Sequence, residues 1–148
     1  MISIISYDEI YPIWRNQLWP ERSSEIEPNS AMLYLQGYDL QNYNYLPSFF
    51  AFKLDNQIVG VNSGHLCCDN SYRSRGLFVL PGYRKQGIGK QLLDYTVETG
   101  FKEGAKFIWS YPRKTSWSTY KQAGFILSSD WHKSEIGENA YCIRNFEN

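Results

Sequence analysis

The stretch LFVLPGYRKQGIGKQLL, residues 77–93, opens as an apolar strand and closes as an amphipathic helix. Pro81 stops the strand, and a turn follows that carries Gly87 and Gly89 among Arg84, Lys85 and Lys90. Glycines let the backbone turn tightly with nothing projecting from it. The first N–H groups of a helix have no internal partner, and the helix dipole makes that end positive. Bare backbone and formal positive charge together make a socket for phosphate or pyrophosphate. Two standard phosphate fingerprints fail here. Gly82 and Gly87 have P-loop spacing, but Ile88 stands where the lysine belongs and Gly89 where the hydroxyl belongs. Gly87 and Gly89 begin a dinucleotide fingerprint, but Leu92 occupies the third glycine's place.

On either side of the turn the chain alternates between strand and helix patterns. MISIIS reads as a first strand, and Ile10, Ile13, Trp14 and Leu18 recur at helical spacing, with Pro12 placing the helix start only a few residues before it. WPERSSEIEPNS breaks the pattern, and SAMLYLQG predicts a short second helix stopped by Gly37. Two apolar runs around Asp55-Asn56 predict a hairpin. YRSRGLFVLP is the next strand, and after the turn Ile88, Leu92, Tyr95, Thr96 and Thr99 trace a helix that Gly104 can close. AKFIWSY is a strand, TSWSTYKQAGF a short helix capped at Thr115 or Ser116 and ended by Gly124, and FILSS and NAYCIRNF are two more strands. The order predicts an α+β domain over residues 1–148. Its central mixed, mostly antiparallel sheet is flanked by helices, with one β-α-β crossover at the glycine turn.

Read whole, residues 77–93 closely resemble the acetyl-CoA-binding motif of the GNAT superfamily of N-acetyltransferases. In that family a strand ending in V-x-P precedes [RQ]-x-x-G-x-[GA] and a helix with paired leucines. Arg84, Gly87 and Gly89 fill the defining places, and Val79, Pro81 and Tyr83 the flanking ones. Downstream, TYKQAGF is similar to the family's Y-x-x-x-G-F element through Tyr120, Gly124 and Phe125. The likeness is specific from about Phe49 to Phe125 and architectural before it. One departure is Arg113, which stands seven residues before the tyrosine, where members often carry a cofactor-holding Asn. A longer, charged group there could reach a phosphate or the substrate instead.

The resemblance implies acyl transfer, usually acetyl, from coenzyme A to an amine that attacks the thioester directly. It assigns pyrophosphate binding to the turn, Arg84, Lys85, Gln86, Gly87, Ile88, Gly89 and Lys90. It assigns pairing with the pantetheine arm to the backbone of Phe78 and Val79. Tyr120 becomes the general acid for the leaving thiolate, since a phenol of pKa about 10 stays protonated; it would equally serve as core on one helical face with Trp117. The base stays unassigned. His65 is best placed along the sequence, with Glu27, Asp69 and Glu135 weaker, and direct positioning of a neutral amine or a water chain are alternatives. A non-catalytic acyl-CoA-binding or sensing domain is the other function class, and Tyr120 argues against it.

Alternation places Arg73 and Arg75 on one strand face with Leu77 and Val79. The simpler reading is a solvated strand end; the other is a cationic pocket for a carboxylate or phosphate on the acceptor. Trp14, Trp19 and the WPER loop could wall that acceptor, as the first two helices often do in the family, or simply pack. The acceptor itself, a small-molecule amine or a protein or peptide amino group, is not named by any feature.

Composition narrows the partners. Fifteen basic residues balance fifteen acidic ones, which argues against a general nucleic-acid or anionic-membrane binder. No apolar run approaches the roughly 20 residues that span a bilayer. Three cysteines, Cys67, Cys68 and Cys142, make no disulfide framework and point to a cytoplasmic protein, and no metal-ligand spacing is present. Aromatic residues form 17% of the chain, enough to line a cleft as well as a core. Homodimers are common in the family, so the resemblance allows a homodimer, but the sequence leaves the oligomeric state open.

Overall fold

The computed structural model describes residues 1–30, 32–35, 37–38, 45–134 and 137–146. The chain enters through β1 (Ile2–Ile5) and turns at Ser6 into α1 (Tyr7–Ile13). The Ser6 hydroxyl accepts from the Glu9 N–H at 3.1 Å, and the Glu9 carboxylate accepts from the Ser6 N–H, a complete capping box. Pro12 lies inside α1 and removes one donor from its ladder. The helix then widens into a π turn, Trp14–Leu18, closed by the Trp19 N–H on the Trp14 carbonyl at 2.8 Å.

The expected hairpin forms from β2 (Ser48–Leu54) and β3 (Gln57–Leu66), with Asp55 and Asn56 both at positive φ, 51° and 65°, as a two-residue primed turn requires. Then come β4 (Ser71–Val79), α2 (Ile88–Lys102) and β5 (Phe107–Ser110). A short 3₁₀ turn, Lys114–Ser116, leads into α3 (Trp117–Gln122). The chain ends with β6 (Ile126–Leu127), β7 (His132–Ser134), β8 (Gly137–Asn139) and β9 (Cys142–Asn145). Seven strands make one sheet in the order β1-β2-β3-β4-β5-β9-β6. Every neighbouring pair is antiparallel except β4 with β5, which α2 connects. This is the mixed, mostly antiparallel sheet with one crossover that the sequence predicts.

Two local readings are corrected. Among the described residues of SAMLYLQG there is no helix: Met32 bridges to Tyr38, and the Leu33 N–H bonds the Gly37 carbonyl at 3.1 Å. Tyr34 there packs edge-on against Phe107 and near Trp109, so tertiary packing outweighs the helical spacing. The β7–β8 hairpin was not expected; an isolated bridge from Asn139 to Arg113 ties it to the rest.

Alternation along β2 decides which helix covers which face. Phe50 and Phe52 point to α2 and pack with Val59, Ile88 and Leu92. Phe49 and Ala51 point the other way, to Ile10 and Trp14, with Val61 and Ile26. Burying each of these large side chains contributes about 1.5–3 kcal/mol. Within the α2 layer, the buried Asn62 amide donates to Ser74 Oγ at 2.8 Å and Thr96 Oγ1 at 2.9 Å, locking β3, β4 and α2 together.

Candidate active site

Strands β4 and β5 pair only over Ser71–Arg73 against Phe107–Trp109, after which the two part. β4 continues on that side for six more residues, and among the described residues its edge there has no strand neighbour. Ser110, the last residue of β5, stands in the fork. Its hydroxyl donates to the Ser74 carbonyl at 2.7 Å and lies 3.3 Å from the Tyr120 hydroxyl. Tyr120 comes from α3, with its ring edge-on to Phe125 and only 3% of the residue exposed. Burial holds its phenol well above the usual tyrosine range, against the lowering effect of the Ser110 hydrogen bond. The phenol therefore stays protonated at neutral pH.

A bulge re-aims the free part of β4. Val61 pairs with Phe78 but Ser63 with Arg75, so Asn62 opposes both Gly76 and Leu77. Gly76 has φ of 81°, and a Cβ there would lie 2.4 Å from the Trp14 ring, whose Nε1 donates to the Gly76 carbonyl at 2.9 Å. The extra residue breaks the alternation read from the sequence. Leu77 and Val79 pack toward α2, with Ile88 and Leu92, while Phe78 joins the Trp14 layer. Arg73 and Arg75 are thus not on a face with Leu77 and Val79, and they are not a solvated strand end. Arg75 is 6% exposed, its guanidinium over Trp14 and Trp19 and donating to the Glu27 carbonyl at 2.8 Å. Arg73 lies over Trp109 and donates to Ser30 Oγ.

The glycine turn sits at the far end of β4. Gly87 is the N-cap of α2 with φ of 81°, and no side chain caps the helix; the first ladder bond is from Gln91 to the Gly87 carbonyl at 3.0 Å. The N–H groups of Ile88, Gly89 and Lys90 therefore leave the helix end without intrahelical partners. A Cβ on Gly87 would meet nothing within 4 Å, whereas one on Gly89 would come 2.9 Å from Thr119 of α3. Gly87 keeps the socket's conformation, and Gly89 lets α3 approach. Arg84 folds back over Phe78 and donates from Nε to the Val79 carbonyl at 2.7 Å. Gln86 reaches the Gly82 carbonyl at 3.3 Å, Lys85 is exposed with φ of 62°, and Lys90 pairs with Asp94 one turn on at 2.7 Å. The Ile88 side chain is buried in the core, so only its backbone faces the turn. An uncapped helix end beside an unpaired strand edge fits a pyrophosphate carrying an extended arm.

A cleft of about 640 Å³ opens from the fork on the side away from α2. Tyr120, Ser110, Trp19, Arg22, Arg73, Arg75 and Arg113 line it. Arg113, in the place of the family's Asn, donates to the Leu18 carbonyl across the cleft. Trp14 is fully buried and packs; Trp19 is the tryptophan at the wall. Glu27 is the one carboxylate among the described lining residues. His65 is buried beside Tyr45, outside the lining, and Asp69 is taken up by the Ser71 N–H and hydroxyl. Glu135 lies outside the described residues. Sequence reasoning missed Ser110 and Arg22. Ser110 is an ordinary strand-end serine until β4 and β5 part, and Arg22 sits in a polar loop with no pattern.

Comparison with known proteins agrees with this layout. The model of the GNAT acetyltransferase family matches residues 10–125. No curated protein matches the chain. Among solved structures, an acetyltransferase of the GNAT family from Staphylococcus aureus Mu50 superposes with a TM-score of 0.66 at 22% identity, covering 98% of this chain and 99% of that one. A Bacillus subtilis acetyltransferase in complex with CoA gives 0.66 at 16% identity, with 98% and 97% covered. A Bacillus anthracis protein described as a streptothricin acetyltransferase, in complex with acetyl coenzyme A, gives 0.65 at 15%, with 99% and 97% covered. With the family model spanning most of its length and the same fold throughout, the chain belongs to the GNAT acetyltransferase family.

Proposed function

We propose that this protein is a single-domain, acetyl-CoA-dependent N-acetyltransferase acting on a primary amine by direct attack. The observation that carries the reading is the buried Tyr120 hydroxyl standing in the fork where β4 leaves β5. Bound acetyl-CoA supplies an activated acetyl thioester. The uncapped N–H groups of Ile88, Gly89 and Lys90, with the backbone of Lys85 to Gly87, hold its pyrophosphate, and the exposed Arg84 and Lys85 add charge. The Phe78–Val79 edge takes the pantetheine arm as an added strand; for this, the Arg84 side chain releases the Val79 carbonyl.

Overall, one C–N bond forms and one C–S bond breaks. An alkyl ammonium, pKa about 10.4, loses one proton before attack and a second as the amide forms. The leaving thiolate, whose conjugate thiol should have a pKa of about 8.5 as for cysteine, takes one proton, leaving a net release of one. Tyr120 gives its proton to the sulfur as charge develops there and recovers one of the two protons that the nitrogen loses, and Ser110 fixes the phenol's direction. As base we propose Glu27, supported by its being the one carboxylate among the described residues that line the cleft. Three free cysteines, two of them buried, suit a reducing cytoplasm.

The test is calorimetry followed by turnover. Acetyl-CoA should bind while ATP and NAD do not, and thiol release should appear with a panel of amines, amino acids, polyamines and peptides. Loss of selectivity for coenzyme A over both nucleotides would reject the reading.

A further inference from the structure

Four arginines, Arg22, Arg73, Arg75 and Arg113, converge on the acceptor side of the cleft from three separate parts of the chain. Among the described residues none of them forms a salt bridge; the ion pairs involve Lys90, Lys102, Lys114 and Arg144 instead. Their hydrogen bonds go to neutral groups: Ser24 and the Glu25 carbonyl for Arg22, Ser30 for Arg73, loop carbonyls for Arg75, and the Leu18 carbonyl for Arg113. The Nε atoms of Arg73 and Arg113 are enclosed and have no partner among the described residues. Burial pushes the Arg75 guanidinium down to about 9, with Arg73 and then Arg22 adding to the effect, and burial pushes Arg73 down to about 10. Glu27 acts on Arg75 and Glu21 on Arg113 in the opposite sense, but more weakly than burial, and confined cations that form no ion pair are costly.

The two classes of role separate by geometry. Arg75, clamped by two tryptophans and the Glu27 and Pro28 carbonyls, holds the loop in place. Among the described residues Arg73 and Arg113 each give one hydrogen bond to the protein, so each guanidinium at the cleft keeps further donors. A planar guanidinium with unused donors matches an oxyanion better than any neutral group. We infer that the acceptor amine carries an anionic group, a carboxylate or a phosphate, which Arg73 and Arg113 bind while its amino group reaches the fork beside Tyr120. This rests on the acetyltransferase reading and narrows it to acidic acceptors.

The experiment compares primary amines that share the amino end and differ only at the other end, as carboxylate, phosphate, methyl ester or carboxamide. With the parent protein, kcat/KM for at least one oxyanion should exceed that for its neutral counterparts by about tenfold or more, since a charge-assisted hydrogen bond contributes about 1.5–3 kcal/mol. The carboxylate and phosphate arms rank the two anions. Arg73→Gln and Arg113→Gln should erase most of that preference while the Kd for coenzyme A stays within about twofold. In parallel, the coenzyme A complex is titrated with N-acetyl amino acids and their methyl esters, which needs no turnover; the acids should bind more tightly. Esters and amides used or bound as well as the anions would overturn the proposal and leave the acetyltransferase reading standing. Absence of coenzyme A binding would overturn both.

Discussion

Tyr120 has two properties that pull in one direction. Its ring is core, packed on Phe125 and next to Leu93 and Val97, while its hydroxyl reaches Ser110 at the fork. Tyr120→Phe keeps the ring packing and removes the hydroxyl, with its proton and its contact to Ser110. We expect kcat to fall about 10²-fold or more, with little change in the KM for acetyl-CoA; unchanged kcat would remove Tyr120 from the chemistry. The pH profile follows from the same burial. The phenol's pKa is raised above its ordinary value, so it remains protonated through neutral and mildly alkaline pH. The amine must lose a proton, so kcat/KM should climb with pH toward the amine's own pKa, about 10.4 for an alkyl amine. A falling limb at about pH 8–9 would mean that the acid titrates far below a buried phenol and would contradict the assignment. Tyr120 was legible in the sequence because it belongs to a spaced motif with Gly124 and Phe125. Ser110 was not, because its role exists only where two strands part company.

The free arm of β4 shows how one glycine decides what a strand presents. Gly76 both adopts φ of 81° and lies where a Cβ would strike the Trp14 ring at 2.4 Å, whereas Gly87 has the same φ with open space around it. Gly87→Ala should therefore cost about 1–2 kcal/mol, the left-handed strain alone. Gly76→Ala should cost about 3 kcal/mol or more, strain plus overpacking. Denaturant titration of both variants checks this, and equal losses would mean that the bulge does not depend on Trp14. Strand β4, the crossover and α2 were all readable from apolar pattern and turn chemistry. The bulge was not, since a lone glycine in a strand does not say which way the pleat resumes, and the faces of Arg73 and Arg75 were misassigned for that reason. The supposed helix at SAMLYLQG failed differently. Its apolar spacing is helical, but Tyr34 is held among Phe107, Trp109 and Tyr141, residues more than seventy positions away.

At the scale of the whole molecule, the two proposed tasks, holding coenzyme A and holding the acceptor, fall to the two sides of one sheet. The α2 side carries the glycine turn and the motif that names the family, and its elements and the family were legible in contiguous sequence. The other side carries α1, the loop from Trp19 to Ser30 and the four arginines, and it comes together only through distant contacts such as Arg113 with Leu18. No short motif could have announced that side, because its parts share no segment of chain. The most direct test of the central claim is a single incubation with isotopically labelled acetyl-CoA and an acidic primary amine. Free thiol is counted and the product weighed by mass spectrometry. The account predicts one N-acetylated amine for each thiol released, with release slowed about 10²-fold or more in Tyr120→Phe. Coenzyme A bound with no thiol released, or thiol released with acetate and no acetylated amine, would contradict it.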